Sequence, residues 1–167
     1  MTTPAGSPAA EGDVPGRMLP IYAQVWVSDW LELDREHLQG FAAATYLEPG
    51  RVDLTPSRNH PLGADLVDGF LLLSLLVYFG FREPAVAGTA GTYAFNYGTD
   101  RVRFTRPVFV GERVRLRRTV VTAVPRTPTR LLVTTDNVLE VDRDPVATAM
   151  VARHLMLQVD GAAEVVG

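Results

Sequence analysis

Hydrophobic and polar positions divide the chain into two unlike halves. In the first half, residues 34–44 (DREHLQGFAAA) place Leu38, Phe41 and Ala42 on one face, with Asp34 in position to cap the start; this predicts a short helix. Residues 65–80 (DLVDGFLLLSLLVYFG) are apolar nearly all round after Gly69, which predicts a helix buried on every side, capped by Asp65 or Asp68 and ended by Gly80. The second half changes period. Residues 92–102, 113–124, 130–141 and 146–159 are rich in Val, Thr, Tyr, Phe and Leu and alternate in part. Pro107 with Gly111, Pro125 with Pro128, and Asp144-Pro145 separate them as turns. One buried helix followed by a run of long antiparallel strands predicts an α+β layer, a twisted antiparallel sheet wrapped around a central helix.

Composition narrows the chemistry. The chain has 167 residues, 47% of them hydrophobic, enough for one domain with a core. A net charge of -3 argues against a general nucleic-acid binder. All 16 positive residues are Arg, so lysine-based Schiff-base and general-base mechanisms are excluded. Cys is absent, which removes disulfides, thiolate nucleophiles and Cys-based metal sites. The three histidines, His37, His60 and His154, are scattered and form no metal motif in sequence, and no cofactor is implied. Residues 1–17, rich in Ala, Gly, Pro, Ser and Thr, read as a disordered leader without signal-peptide character. The folded domain is expected over 18–160, with a tail at 161–167. The apolar run at 69–81 is shorter than the roughly 20 residues a membrane span needs, so no membrane association is expected and a cytoplasmic location is the default.

Three blocks carry a resemblance. Ser28-Asp29-Trp30 precedes a helix that ends Phe41-Ala42-Ala43-Ala44-Thr45. Asp68-Gly69-Phe70-Leu71-Leu72-Leu73-Ser74-Leu75-Leu76 opens the central helix. Asn96-Tyr97-Gly98-Thr99-Asp100-Arg101-Val102-Arg103-Phe104, with Pro107-Val108 and Gly111, forms a strand and turn. In this order, across about residues 23–158, they resemble the MaoC-like hydratases and dehydratases of hot-dog fold. The resemblance implies a single hot-dog domain and a homodimer whose two sheets join, with active sites at the subunit interface. It implies acyl groups on coenzyme A or acyl carrier protein as substrates, as in fatty acid or polyketide metabolism, and hydration of a 2-enoyl thioester or its reverse.

That reaction needs an acid/base pair for water and the α-proton, and a donor for the thioester oxygen as negative charge grows on it. The resemblance places the donor at the backbone N–H of Gly69, where the helix dipole assists. It implies an Asp, followed five residues later by a His, for the pair; here both are replaced. After Thr45 the chain reads Tyr-Leu-Glu-Pro-Gly-Arg-Val-Asp-Leu-Thr-Pro, in which Glu48 and Asp53 keep the spacing of five. They read either as a working carboxylate pair with separated pKa values or as two solvated loop carboxylates. Asp68, where the family often has His, reads as a substrate-facing acid or as a helix cap. His60 is a candidate replacement for the missing imidazole, or an exposed loop residue. Tyr46 and Tyr97 are candidate hydrogen-bonding groups for substrate, Tyr97 alternatively a core or interface aromatic. Arg101, Arg103, Arg106, Arg113, Arg115, Arg117 and Arg118 read as phosphate contacts or as a solvated strand face.

The expected function is therefore an acyl-thioester lyase, with the altered pair pointing to a variant such as conjugate addition or cyclisation. Two alternatives stand beside it: a degenerate acyl-holding subunit that pairs with an intact hot-dog chain in a hetero-oligomer, and a hot-dog thioesterase using Glu48 or Asp53.

Overall fold

In a computed structural model the described residues are 25–48, 50–52, 65–83 and 91–161. The expected leader, Asp53, His60 and most of the loop after Thr45 lie outside them.

Two helices and six strands make up the described structure. Strands β1 (Val25–Val27) and β2 (Leu31–Glu32) lead into helix α1 (Arg35–Ala44). Helix α2 (Gly69–Arg82) follows, then four long strands: β3 (Thr92–Phe104), β4 (Arg113–Thr127), β5 (Arg130–Val141) and β6 (Ala147–Asp160). All pairings are antiparallel. The sheet order is β1-β4-β5-β6-β3, with β2 also on β4. The α+β arrangement predicted from the change of period is therefore present, and the long strands start and stop within a few residues of the expected breaks.

Alternation decides which face of the sheet meets α2. Val114 and Leu116 on β4, Leu139 and Val141 on β5, and Met150 and Ala152 on β6 are buried; they pack with Leu72, Leu75, Leu76 and Phe79 of the helix. Helix α1 buries no residue fully and lays Leu38 and Phe41 against this core, as its stripe predicted. Asp34 caps it by accepting from the His37 N–H at 2.9 Å.

Two expectations for α2 are corrected. The helix does not stop at Gly80 but runs on to Arg82. Gly80 is buried, and a Cβ there would lie 3.0 Å from Nη2 of Arg118, so its role is to admit a guanidinium. Nor is the helix buried all round. Phe70 is 69% exposed and Phe81 76%, with Val77 and Tyr78 also open. Phe70, Val77 and Phe81 recur at helical spacing and form one apolar stripe. Phe70 and Val77 face edge strand β3, whose Tyr93, Phe95, Tyr97 and Phe104 are exposed too, while Tyr78 turns toward the segment of β1 and β2.

The inner face of the sheet is not uniformly apolar. Arg118 shares the inward parity of Val114 and Leu116 and is 2% exposed. Its Nε donates to Asn137 Oδ1 at 3.2 Å, its Nη1 to Glu83 Oε2 at 2.8 Å and its Nη2 to the Leu76 carbonyl at 3.0 Å. Asn137 in turn donates to Thr135 Oγ1 at 2.9 Å. A buried guanidinium is tolerable because each of its nitrogens meets an acceptor and its charge meets a carboxylate.

Candidate active site at the head of the central helix

The start of α2 is held from two sides. Val67 N–H donates to the Val108 carbonyl at 2.8 Å and Val110 N–H to the Asp65 carbonyl at 2.9 Å, so the approach to the helix is pinned to the turn after β3. The Arg35 side chain bonds Asp65 and ties the first turn of α1 to the same segment. Asp68 then caps α2, its Oδ1 accepting from the Phe70 N–H at 2.7 Å. Of its two sequence readings, the cap is the one the contacts display.

Gly69, the first helical residue, has an N–H with no acceptor among the described residues. An N–H at a helix start points outward with the dipole behind it and is suited to hold a developing oxyanion. The nearest neighbour to the open side of Gly69 is the Phe104 ring: a Cβ at position 69 would stand 3.0 Å from Phe104 Cζ. Phe104 meets Phe70 edge-on, with centroids 6.4 Å apart.

From Phe70 a cavity of about 340 Å³ runs along α2 toward β3 and β6, walled by Leu73, Leu76 and Val77 from the helix. Ser74 of α2, Asn96 and Thr99 of β3 and His154 of β6 supply its polar groups. His154 is 4% exposed, and its Nε2 lies 3.1 Å from Asn96 Oδ1. Burial, followed by the Arg118 charge, lowers its pKa below the usual histidine value and keeps it neutral at pH 7. His154 and Phe104 are not among the residues sequence reasoning selected for the site. A signal for the histidine exists: it has the inward parity of Met150 and Ala152 on the same strand.

The remaining candidates are dispersed. Tyr46 follows α1 in the left-handed region, φ 62°, where its N–H donates to the Ala43 carbonyl and that of Leu47 to Ala42. This is the helix-ending arrangement that glycine usually serves, and a tyrosine there carries strain. The ring is 63% exposed, with the Arg51 guanidinium 5.0 Å above it. Glu48 accepts from Arg51 Nε at 3.2 Å. Tyr97 lies exposed on edge strand β3. Asp53 and His60 lie outside the described residues, so no geometry relates Glu48 to Asp53. Among the described residues no group of three or more acidic or histidine side chains is placed to hold a metal. No helix among them is long and apolar enough to cross a membrane.

The arginine cluster separates into two sets. Arg113 bonds Asp142, Arg115 and Arg117 share Glu140, and Arg118 is buried; these four are structural. Arg101, Arg103 and Arg106 make no ion pair among the described residues and flank Phe104.

No family model matches the chain. It is similar to Nodulation protein N of Rhizobium leguminosarum bv. viciae, 34% identical over 143 residues, which are 82% of this chain and 85% of that protein. It is also similar to 3-hydroxyacyl-thioester dehydratase Z of Mycobacterium tuberculosis, 35% identical over 98 residues, 55% of this chain and 60% of the relative. Among solved structures, the MaoC-like dehydratase from Rhodospirillum rubrum superposes with a TM-score of 0.58 at 15% identity, covering 83% of this chain and 92% of the other. The (R)-hydratase from A. caviae involved in PHA biosynthesis gives 0.58 at 19% identity over 81% and 94%. With the helix-wrapping antiparallel sheet, and a relative matched over most of both chains, the conclusion is that this chain belongs to the MaoC-like family of hot-dog hydratases and dehydratases.

Proposed function

We propose that this chain is an acyl-thioester lyase of the enoyl hydratase or 3-hydroxyacyl dehydratase type, acting on coenzyme A or carrier-protein thioesters as a homodimer. The observation that carries the reading is the Gly69 N–H at the head of α2, without an acceptor among the described residues and one residue before Phe70, which lines an apolar cavity. In dehydration a base removes the α-proton, the charge that grows on the thioester oxygen is held by the Gly69 N–H, and the 3-hydroxyl leaves with a proton as water. The acyl chain lies along Phe70, Leu73 and Val77. Arg101, Arg103 and Arg106 receive the phosphates of the carrier. The exposed apolar edge of β3 with the open stripe of α2 is the surface a second copy would cover.

Glu48 and Asp53 are the proposed acid/base pair, with His60 as a further candidate and Tyr46 and Tyr97 as substrate contacts. Replacement of Asp and His by two carboxylates favours a variant addition, such as conjugate addition or cyclisation. The test is turnover of 2-enoyl and 3-hydroxyacyl thioesters by the purified chain, followed by the ultraviolet band of the enoyl thioester. Glu48→Gln or Asp53→Asn lowers the rate at least tenfold if the pair acts, and an unchanged rate refutes the assignment.

A second reading has its own support. Glu48 is engaged by Arg51 and Asp68 by the Phe70 N–H, so these two candidate carboxylates are occupied by structural partners. On this reading the chain holds the acyl group for an intact hot-dog partner. It predicts no turnover alone and turnover once that partner is added. Release of free thiol without either activity would identify a thioesterase.

A further inference from the structure

Phe104 reaches the inner face of the sheet only through a β-bulge. Thr99 stands opposite His154 and Phe104 opposite Met150, so five steps along β3 match four along β6. His154 and Met150 both face the helix side of the sheet. Regular alternation would put Thr99 and Phe104 on opposite faces, and the extra residue brings both to the inner one. Arg101 lies in that bulge with φ 53°, a conformation that residues with a side chain rarely adopt. Without the bulge the Phe104 ring would point to the outer face, away from Gly69.

The ring meets Gly69 face-on. A Cβ at position 69 would stand 3.0 Å from Phe104 Cζ and 3.1 Å from both Cε atoms. Nearly equal distances to the three atoms put that point over the face of the ring's outer half; a point beyond the tip would be clearly nearer Cζ than either Cε. The Gly69 nitrogen is one bond from the Cα that carries this position, so a carbonyl group accepting from its N–H lies within reach of the ring. Phe104 also meets Phe70, with centroids 6.4 Å apart, and Phe70 lines the cavity along α2. An acyl chain that runs from the Gly69 N–H into this cavity passes the two rings with its α-carbon, not its sulfur, beside Phe104.

We propose that Phe104 is a specificity-determining residue that screens one face of the acyl α-carbon, so that the site takes straight-chain acyl groups and only one configuration of a 2-methyl-branched one. A flat ring fills the space on its own side and leaves the opposite side open. A methyl group turned toward it must push the ring off Gly69 and Phe70. The inference rests on the acyl-thioester reading above and adds to it the substrate class.

The test is calorimetric titration of the full chain with N-acetylcysteamine thioesters of octanoic acid and of the two enantiomers of 2-methyloctanoic acid, saturated ligands that a hydratase does not turn over. One enantiomer is expected to bind within about twofold of the octanoyl thioester and the other roughly fivefold more weakly or worse. In Phe104→Ala, a change at a half-exposed position, the two enantiomers are expected to bind equally. A nuclear Overhauser contact between the octanoyl α-protons and the Phe104 ring in wild-type protein supplies a readout that needs no variant. Equal binding of the enantiomers by the wild type, a ratio that survives Phe104→Ala, or absence of that contact in the octanoyl complex overturns the inference while leaving the lyase reading intact. Failure of the octanoyl thioester itself to bind overturns the acyl reading, and this inference with it.

Discussion

Replacing Glu83 by Gln leaves the Arg118 guanidinium buried without the carboxylate it faces. The pair is enclosed on both sides, with side-chain exposures of 2% and 9%, and the N–O distance is 2.8 Å. Breaking a buried pair by removing one partner costs about 3–5 kcal/mol, because the surviving charge has neither water nor counter-charge. For a domain whose total stability is about 5–15 kcal/mol, that is a large fraction. With a urea slope of about 2 kcal/mol/M, Glu83→Gln should lower the unfolding midpoint by about 2 M. Arg118→Met should cost a similar amount, since it strands Glu83 and removes donors from Asn137 Oδ1 and the Leu76 carbonyl. The double variant Glu83→Leu with Arg118→Met removes both charges at similar volume, and should lie within about 2 kcal/mol of the parent. With Glu83→Leu and Arg118→Met as the matching single variants, the coupling energy of the cycle should then be several kcal/mol. Urea titrations at one fixed protein concentration measure it, a condition that matters if the chain self-associates. Single variants that each cost under about 1 kcal/mol and add without coupling would show that the pair is solvated, and the reasoning from burial would fail.

Three further outcomes are expected. Tyr46→Gly should raise stability by about 0.5–1 kcal/mol, because glycine occupies a φ of 62° without the strain a tyrosine bears; a lower urea midpoint would refute this. Asp68→Asn should keep both the urea midpoint and any turnover within a few-fold of the parent, since asparagine caps as well as aspartate, whereas Asp68→Ala should cost about 1 kcal/mol; loss of turnover in the asparagine variant with stability intact would restore the acid role. The side-chain hydrogen bond from Arg143 holds the Glu112 carboxyl below its usual value of 4.5, so Glu112 contributes stability above that pH and loses it as pH falls through the lowered folded value. Glu112→Gln should accordingly flatten the acid limb of a urea-midpoint profile below about pH 4.5, and an unchanged limb would show that the pair is not formed.

Local chemistry was enough for much of the fold. Strands β3 to β6 were legible because alternation and the Pro and Gly breaks act within a few residues, and the Asp34 cap follows from a short side chain that reaches the next turn's N–H; for α2 the sequence offered Asp65 or Asp68, and the structure selects Asp68. The family blocks located Gly69 without coordinates. Strands β1 and β2 were not legible: with three and two residues they have no period to detect, and they exist because Val25–Val27 and Leu31–Glu32 find β4. Arg118 sits in a run of arginines that reads as a solvated face. Only the return of Glu83 and Asn137 from distant parts of the chain makes its burial possible. The stripe of Phe70, Val77 and Phe81 looked like core because hydrophobicity says that a surface must be covered but not by which chain. His154 was visible as an inward-facing residue of a strand. That one of its nitrogens would meet Asn96 and the other meet nothing depends on the register of β6 against β3, which sequence order does not specify.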